Sequence, residues 1–340
     1  MRATERARFI ADTGLADCTC MALAADASTR RYFRLAGSSP AQLLMDVEPH
    51  SPDLPVFVQV SHYLNSIGLS APRVLCSNQT SGLSLIEDFG TQTYTNLLNS
   101  GADETALYAL AVDVLIRLHS VSVTEKAAVP VLPHYDLPAL MSEVKLFSDW
   151  YAPNAGWLED GDGFSGAFQQ LWQQALCNVA HSTDTLVLRD FHVDNLMIIS
   201  GRSGVAACGL LDFQDALIGS CAYDLVSLCQ DARRDLSDGL EDVLIQRYLS
   251  AMPQLDSERF LAEYWLLAAQ RHTKVAGIFQ RLSQRDGKHQ YLVHQPRVQR
   301  LLQRALQRAG LQAISELLEK NIAGWARPAH AGLQSTLSEI

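Results

Sequence analysis

The sequence predicts an α+β protein of two lobes, a small antiparallel sheet in the first and mainly helices in the second. Up to about residue 90, the apolar residues occur in short runs separated by turn residues, which is typical of antiparallel strands. Beyond residue 90, most apolar residues recur at helical spacing. A chain of 340 residues is long enough for two separate cores. We therefore expect one lobe at 1–90 and a second at 91–340.

In the first lobe, an amphipathic helix over residues 3–13 precedes the sheet, and a second helix is inserted between its strands. The pattern predicts strands at Tyr32–Leu35, Gln42–Val47, Arg73–Cys76 and Leu83–Glu87. The inserted helix begins at Asp53, after Pro52, and ends near Ile67, because Gly68 is a typical helix stop.

The second lobe combines long helices with a few short strands. Helical spacing covers Ala102–Leu118, Leu137–Tyr151, Ala167–Ala180 and most of the chain from Ala222 onwards. The strand-like exceptions are Leu186–Leu188, Leu196–Ile199 and Val205–Leu211. Turn residues at 201–204 separate the last two, so these strands are predicted to form a hairpin.

Composition and charge narrow the classes of partner. The net charge of −10 and the lack of a long basic block argue against nucleic acid or an anionic membrane. No apolar run approaches the length of a membrane-spanning helix, and the first residues lack an apolar signal region. The seven Cys are scattered, which favours reduced thiols. We expect a cytoplasmic protein without membrane or nucleic-acid partners.

The most informative segment is the polar loop that follows Leu186–Leu188. Asp190 and Asn195 lie five residues apart in this loop, and Asp212 follows the predicted hairpin. This order of residues suits phosphoryl transfer from a nucleotide. Asp190 can accept the proton of an acceptor hydroxyl, while the oxygens of Asn195 and Asp212 can hold Mg²⁺, which prefers oxygen ligands.

Neighbouring residues have less specific roles. Arg189 is a candidate for bracing or compensating the acidic cluster, and His192 for supporting the loop. Asp215 either helps to position a metal or caps a turn. Asp and Asn are common turn residues, so Asp190 and Asn195 alone fit an ordinary turn. The hairpin and Asp212 together favour the catalytic interpretation.

These residues resemble the motifs of the aminoglycoside phosphotransferase and choline kinase-like superfamily. That superfamily usually has His-Gly-Asp-x-x-x-x-Asn in the loop, where this chain has Leu188-Arg189-Asp190-x-x-x-x-Asn195. The later residues Asp212, Gly219 and Asp224-Leu225 are similar to its downstream motif, and Leu118-His119 also resembles the family. The resemblance implies a bilobal protein-kinase-like fold, ATP and Mg²⁺ as cofactors, and a small-molecule acceptor. It also implies that 1–90 is the nucleotide-binding lobe and 91–340 the catalytic, acceptor-binding lobe.

A narrower resemblance points to one branch, the bacterial anomeric sugar kinases of cell-wall recycling. It rests on six segments, 23–34, 44–46, 132–136, 147–151, 270–279 and 285–288. Enzymes of that branch phosphorylate the 1-hydroxyl of N-acetylmuramate and N-acetylglucosamine. The resemblance therefore implies conversion of sugar and ATP to sugar α-1-phosphate and ADP, in peptidoglycan recycling. We expect a monomer or a weak dimer.

The first lobe departs from the wider kinase pattern. The segment 24–29 stands in place of a Gly-rich phosphate loop, and the strand 43–47 lacks the usual Lys. Arg30 and Arg31 are the candidates to bind phosphate instead, since Arg binds phosphate well. The backbone from Glu87 to Phe89 is expected to contact the adenine edge of the nucleotide.

Candidates for the acceptor site lie on helices of the second lobe. The candidates are Glu143 and Asp149 for the hydroxyls of a sugar and Arg271 for a substrate carboxylate. Each of these residues, taken alone, could equally be a polar residue on the surface of a helix. Two alternatives stay open: a kinase of aminoglycosides or choline-like alcohols, and a non-catalytic nucleotide-binding regulator. The missing strand Lys is the best support for the regulator.

Overall fold

The computed structural model describes residues 2–23, 30–121, 130–155 and 161–325. The chain divides into two compact units. Unit 1 consists of Met1–Leu132 and Leu188–Ala216, and unit 2 consists of Pro133–Val187 and Leu217–Ile340. The loop that carries Asp190 and Asn195 thus belongs to the same unit as the first 90 residues. The lobe boundary at residue 90 stays a prediction.

Unit 1 is built on a five-stranded antiparallel sheet with the strand order β1-β2-β3-β5-β4, which confirms the predicted small sheet. The strands are β1 (Thr19–Ala22), β2 (Arg31–Ala36), β3 (Gln42–Asp46), β4 (Val74–Asn78) and β5 (Leu83–Glu87). The helices of unit 1 are α1 (Arg2–Asp12), α2 (Asp53–Ser66), α3 (Tyr94–Asn99) and α4 (Glu104–His119). The predicted first helix and inserted helix are α1 and α2.

Helix α1 is fixed to the sheet by one apolar cluster and one ionic cluster. Ile10 of α1 packs with strand residues in a core cluster that contains Leu35, Leu44, Leu83 and Leu85. Nearer the start of α1, on the same face as Ile10, Arg6 Nη1 lies 2.8 Å from Asp46 Oδ2, and Arg2 binds the same carboxylate. Because Asp46 is buried, these two guanidinium groups balance a charge that would be costly alone.

The predicted hairpin of unit 1 is present as β7 (Leu196–Ile198) and β8 (Cys208–Leu210), paired antiparallel. A 3₁₀ turn at Gly204–Ala207 replaces the first part of the predicted second strand. Gly209 packs against Phe89, and a Cβ at this position would lie 2.7 Å from the Phe89 ring. A side chain at 209 would therefore push the hairpin away from the end of β5.

Unit 2 is mainly helical, as predicted, with one two-stranded sheet of β6 (Thr185–Val187) and β9 (Leu217–Gly219). Strand β9 was not predicted from the sequence, because its three residues are too short for a recognisable alternation. The helices of unit 2 are α5 (Leu137–Leu146), α6 (Ala152–Asn154), α7 (Gly161–Leu176), α8 (Ala222–Cys229), α9 (Leu240–Ala251), α10 (Ser257–Asp286), α11 (Gln295–Arg308) and α12 (Gln312–Asn321). A π-helical turn at Phe147–Tyr151 continues α5.

Helix α10 is the longest element of unit 2 and runs for 30 residues. It begins where the Asp256 side chain accepts hydrogen bonds from the first-turn amides, and it ends at Gly287, whose φ of 67° suits glycine. Its middle third is buried and polar, including Gln270, Arg271 and Lys274. Within the described ranges, no helix combines the length and the hydropathy that crossing a bilayer requires.

Gly277 is where α10 approaches the end of α5 most closely. A Cβ there would lie 2.3 Å from the backbone carbonyl of Leu146. We expect Gly277→Ala to lower the free energy of unfolding by about 1–3 kcal/mol through overpacking, although Ala favours helix. Urea denaturation followed by circular dichroism measures this change.

Gly166→Ala is the matched control, because Gly166 lies in α7 with open space at its Cβ position. It should stabilise the protein by up to about 1 kcal/mol. Equal effects of the two substitutions would contradict the close packing of α10 against α5.

Candidate active site

The loop that carries Asp190 is held by its own backbone. Asp190 N donates to Leu188 O at 2.9 Å, and Asp190 O accepts from His192 N at 3.2 Å and from Asn195 Nδ2 at 2.9 Å. Phe191 and Val193 are buried and anchor the loop in the core of unit 1. The Asp190 side chain is left half-buried at a position fixed on both sides.

The β7–β8 pairing brings Asn195 next to Asp212. Leu196 lies opposite Leu210 across the pair, and Leu211 N donates to Asn195 O at 2.9 Å. Asn195 thus becomes the neighbour of Leu211, which lies sixteen positions later in the sequence and directly precedes Asp212. The Asn195 amide nitrogen donates to Asp190 O, so the amide oxygen is left to face a cation.

Asp212 is held by two donors. Its Oδ1 accepts a hydrogen bond from Arg30 at 2.6 Å and one from Gln214 Nε2 at 3.1 Å. The same Gln214 nitrogen lies 3.0 Å from Asp215 Oδ2, so this buried side chain holds two carboxylates. Both described donors to Asp212 use Oδ1, which leaves Oδ2 in position to bind a cation.

Two residues of this region have a left-handed backbone conformation. The φ angle is 70° at Arg189 and 59° at Asp212. Such conformations in residues other than glycine cost on the order of 1 kcal/mol or more and occur preferentially at functional sites. Arg189 immediately precedes Asp190, and its Nη1 lies 3.4 Å from Asp215 O, within reach of a weak hydrogen bond. The strain therefore coincides with the two predicted carboxylates.

The residues present fit Mg²⁺ rather than a metal held by protein alone. Asn195 and Asp212 offer one amide oxygen and one carboxylate oxygen, and Mg²⁺ commonly takes one or two protein oxygens together with phosphate and water. No group of three or more His, Cys, Asp or Glu side chains that could hold a metal occurs among the described residues. A site of this kind needs the nucleotide phosphates to complete the coordination.

The structure separates the two predicted phosphate ligands of unit 1. Arg30 is largely buried beside Asp212, whereas Arg31 begins β2 with an exposed side chain. The segment 24–29, predicted to replace a Gly-rich loop, lies outside the described residues. Arg30 is therefore the better placed of the two to bind a phosphate next to the Asp212 carboxylate.

The predicted adenine-binding segment lies at the end of β5, where Arg202 organises it. Arg202 forms an ion pair with Glu87, and its guanidinium carbon lies 5.4 Å from the centre of the Phe89 ring. Asp88 is paired with Arg34 of β2. The side chains of Glu87 and Asp88 are thus occupied by arginines, and their backbone N–H groups donate to Arg73 O at 2.9 Å and to Ala41 O at 3.1 Å.

His119, at the end of α4, belongs to the core of unit 1. Its ring is buried, and burial lowers its pKa to about 3. The imidazole is therefore neutral near pH 7. The Leu118-His119 pair that resembles the family contributes to packing, since a neutral buried ring costs far less than an ionised one.

In unit 2, Glu143 is the centre of a buried polar network. Its Oε1 lies 2.9 Å from Lys274 Nζ, and its Oε2 accepts hydrogen bonds from Gln270 Nε2 at 2.9 Å and from the Tyr135 hydroxyl. Helix α10 supplies Gln270 and Lys274, four residues apart and so on one face. Every member of this network is buried.

Arg271 joins the same network through Tyr223. Arg271 Nη1 donates to the Tyr223 hydroxyl at 3.2 Å, and Lys274 Nζ lies 3.5 Å from the same oxygen. Asp149, the third predicted acceptor residue, instead forms an exposed ion pair with Lys145 at 3.3 Å. Unit 2 therefore brings Glu143 and Arg271 together and keeps Asp149 apart from them.

Several residues of these networks were missed by sequence reasoning. Gln214 could have been found as the second residue after Asp212, on the same side of an extended segment. Tyr135 and Tyr223 gave no usable signal, because a buried Tyr that donates a hydrogen bond looks like an ordinary core aromatic in a sequence.

The buried ion pair of unit 2 gives a stability prediction. We expect Lys274→Met to lower the free energy of unfolding by about 3–5 kcal/mol, because it leaves the Glu143 carboxylate buried without its cation. The double variant Glu143→Gln, Lys274→Met should lose less than the sum of the two single changes. Urea denaturation of all three proteins measures the coupling.

The exposed pair Lys145 and Asp149 is the matched control. Lys145→Met should change the free energy of unfolding by no more than about 1 kcal/mol. Strict additivity of the Glu143 and Lys274 changes would show that the buried network is not coupled.

Comparison with known proteins shows the family of this chain. Residues 19–264 match the model of the phosphotransferase enzyme family. An N-acetylmuramate/N-acetylglucosamine kinase of Caulobacter vibrioides is 32% identical over 329 residues, which cover 87% of this chain and 90% of that protein. The protein of the same name from Pseudomonas aeruginosa is 36% identical over 302 residues, 86% of either chain.

Solved structures show the same fold at low sequence identity. A choline/ethanolamine kinase family protein from Mesorhizobium loti has a TM-score of 0.60 at 14% identity and covers 94% of this chain and 98% of its own. An aminoglycoside 2'-phosphotransferase-IIIa mutant in its GDP complex has a TM-score of 0.61, also at 14% identity, and covers 92% and 100%. These neighbours confirm the predicted protein-kinase-like fold. The chain belongs to the phosphotransferase enzyme family, whose model matches most of its length.

Proposed function

We propose that the protein is an ATP- and Mg²⁺-dependent kinase that phosphorylates the anomeric 1-hydroxyl of N-acetylmuramate and N-acetylglucosamine. The product would be the sugar α-1-phosphate, formed in the cytoplasm during peptidoglycan recycling. The names of four relatives at 32–36% identity support the acceptor. The observation that carries the reaction type is the backbone hydrogen bond from Leu211 N to Asn195 O, which joins the loop of Asp190 and Asn195 to the residue that precedes Asp212.

In this proposal the reaction is a direct displacement at the γ-phosphorus of ATP. The sugar 1-hydroxyl oxygen forms a bond to phosphorus, the bond to the β-phosphate oxygen breaks, and ADP leaves. Asp190 accepts the hydroxyl proton as the new bond forms. When bound through Asn195 and Asp212, Mg²⁺ supplies neutralisation of the phosphate charge.

Arg30 is proposed to replace the missing strand Lys. Its guanidinium is paired with Asp212 and could bind a phosphate beside that carboxylate. Arg31 stays a candidate for a second contact. The backbone of Glu87 to Phe89 is proposed to bind the adenine edge, with Arg202 keeping the segment in place.

The buried network of unit 2 is proposed to bind the acceptor. Arg271 and Lys274 are cations that could bind a substrate carboxylate such as the lactyl group of N-acetylmuramate, while Glu143 keeps Lys274 in position. Asp149 is a weaker candidate, since it lies in an exposed ion pair. The comparisons do not favour an aminoglycoside kinase, an alcohol kinase or a non-catalytic regulator.

The carboxylate of Asp190 gives the first test of this function. We expect Asp190→Asn and Asp212→Ala to reduce kcat by at least about a hundredfold, since one loses the base and the other a metal ligand. The assay incubates protein, MgATP and each amino sugar, and ³¹P NMR identifies a phosphate bonded to C1.

Asp194→Asn is the matched control in the same loop, because the Asp194 carboxylate is bound by Thr95 and has no assigned catalytic role. Cys18→Ser should also leave turnover intact. Undiminished turnover in the Asp212 variant would remove the metal assignment, and a wild-type protein that phosphorylates no sugar would remove the proposed function.

The role of Arg30 gives a second test. Arg30→Gln should raise the KM for ATP at least about tenfold, because a charge-assisted contact to phosphate is lost. Arg31→Gln, with an exposed side chain, should change it less. Steady-state kinetics at fixed free Mg²⁺ compares the two, and an unchanged KM in the Arg30 variant contradicts the assignment.

A further inference from the structure

Asp231 is a buried carboxylate that none of the networks described above uses. It follows α8 in unit 2, and its side chain is 2% exposed. Its Oδ1 accepts a hydrogen bond from Arg233 N at 2.9 Å. Its Oδ2 is buried and has no hydrogen-bond partner in the part of the chain that the structure describes. Buried polar atoms are nearly always hydrogen-bonded, so this oxygen needs an explanation.

The nearest cation does not satisfy Asp231. Arg233 Nη1 lies 3.8 Å from Asp231 Oδ1, which is beyond hydrogen-bond distance. The Arg233 guanidinium carbon lies 6.0 Å from the centre of the Phe279 ring. The attraction is therefore that of a long ion pair. A desolvated carboxylate held only by one amide and a distant cation is costly, unless a donor from a ligand completes its hydrogen bonds.

A second unsatisfied oxygen occurs in the same part of unit 2. Gln295 Nε2 donates to Ala276 O at 3.1 Å, while Gln295 Oε1 is buried without a hydrogen-bond partner among the described residues. Phe279, one turn after Ala276 on α10, contacts the Arg233 guanidinium and the His294 ring. Gln295 is thus bound to α10 directly, and Asp231 is linked to the same stretch of α10 through Arg233.

The segment that holds Asp231 is connected to the candidate acceptor residues. Gln230 Oε1 lies 2.9 Å from His272 Nε2, so the residue before Asp231 is bound to the residue after Arg271. Arg297 Nη1, near the start of α11, lies 3.5 Å from Ala232 O on the other side of Asp231. The position of the carboxylate is therefore set relative to α10 and α11.

We propose that Asp231 is a specificity-determining residue of the acceptor site, whose Oδ2 accepts a hydrogen bond from a hydroxyl or amide N–H group of the sugar. This inference rests on the proposed function. The hydroxyl groups and the acetamido N–H group of such a sugar are hydrogen-bond donors. Asp231 Oδ2 and Gln295 Oε1 are buried acceptors, so each would be satisfied by a donor of this kind. A site with buried unsatisfied acceptors discriminates strongly against analogues that lack the matching donor.

The test compares Asp231→Asn with Asp235→Asn in the full-length protein. Asn keeps the size of Asp231 but removes its charge, whereas Asp235 is an exposed carboxylate on the same segment, paired with Arg297 at 2.9 Å. We expect Asp231→Asn to raise the KM for N-acetylglucosamine at least about tenfold and to leave the KM for ATP unchanged. Its thermal midpoint should not fall, because a buried charge is removed. Asp235→Asn should leave both KM values unchanged.

The outcomes separate this inference from the proposed function. An active Asp231→Asn protein with an unchanged acceptor KM overturns the inference and leaves the function standing. A lower thermal midpoint with equal changes in both KM values also overturns it, since the role is then structural. Calorimetric binding of N-acetylglucosamine decides the remaining cases. If the wild-type protein binds N-acetylglucosamine without phosphorylating it, and Asp231→Asn abolishes that binding, the proposed function is refuted and the acceptor site at Asp231 is supported. If the wild-type protein does not bind the sugar, both the function and the inference are overturned.

Discussion

The backbone hydrogen bond from Leu211 N to Asn195 O is the interaction on which the site of unit 1 depends. It extends the β7–β8 pairing by one step beyond Leu196 and Leu210, to the residue just before Asp212. Without it, the Asn195 amide and the Asp212 carboxylate would belong to separate loops. The backbone pairing therefore holds Asn195 close to the residue that precedes Asp212, and phosphoryl transfer depends chiefly on the positioning of such groups.

Arginine is the common counter-ion of unit 1. Four carboxylates there, at positions 46, 87, 88 and 212, are each held by a guanidinium group. Three of these carboxylates take part in structural ion pairs. Asp46 holds α1 on the sheet, Glu87 is paired with Arg202 at the end of β5, and Asp88 links the end of β5 to β2. The pair of Arg30 with Asp212 differs because its carboxylate is half-exposed and also belongs to the candidate metal site. Phosphate can attract the same guanidinium, so this pair has a ligand-dependent alternative that the others lack.

Unit 2 uses buried polar groups differently. Its central helix, α10, carries Gln270, Arg271 and Lys274 into the interior of the unit, where they contact Glu143 and Tyr223. Side-chain oxygens of Gln270, Gln295 and Asp231 are among the buried atoms that have no hydrogen-bond partner within the described residues, and the one of Asp231 belongs to a carboxylate. A protein retains such a group at a cost in stability, and functional sites are where that cost is usually found.

The sequence predicted the sheet of unit 1, the helical character of unit 2 and the order Asp190, hairpin, Asp212, because each depends on local periodicity and turn residues. It did not predict β9, which is short and becomes a strand only through its partner β6. It could not separate Arg30 from Arg31, since only the direction of β2 decides which of two neighbours is buried. It also grouped Asp149 with Glu143, although six residues along a helix place them on different faces.

The most direct test of the account is the affinity of unit 1 for a divalent ion in the presence of a non-hydrolysable ATP analogue. Electron paramagnetic resonance of Mn²⁺, which substitutes for Mg²⁺ at oxygen sites, measures this affinity. The account predicts protein-dependent binding of Mn²⁺ with the analogue, weakened at least about tenfold in Asn195→Leu and in Asp212→Asn but not in Asp194→Asn. Equal Mn²⁺ affinity in all four proteins would contradict the assignment of these two residues as ligands.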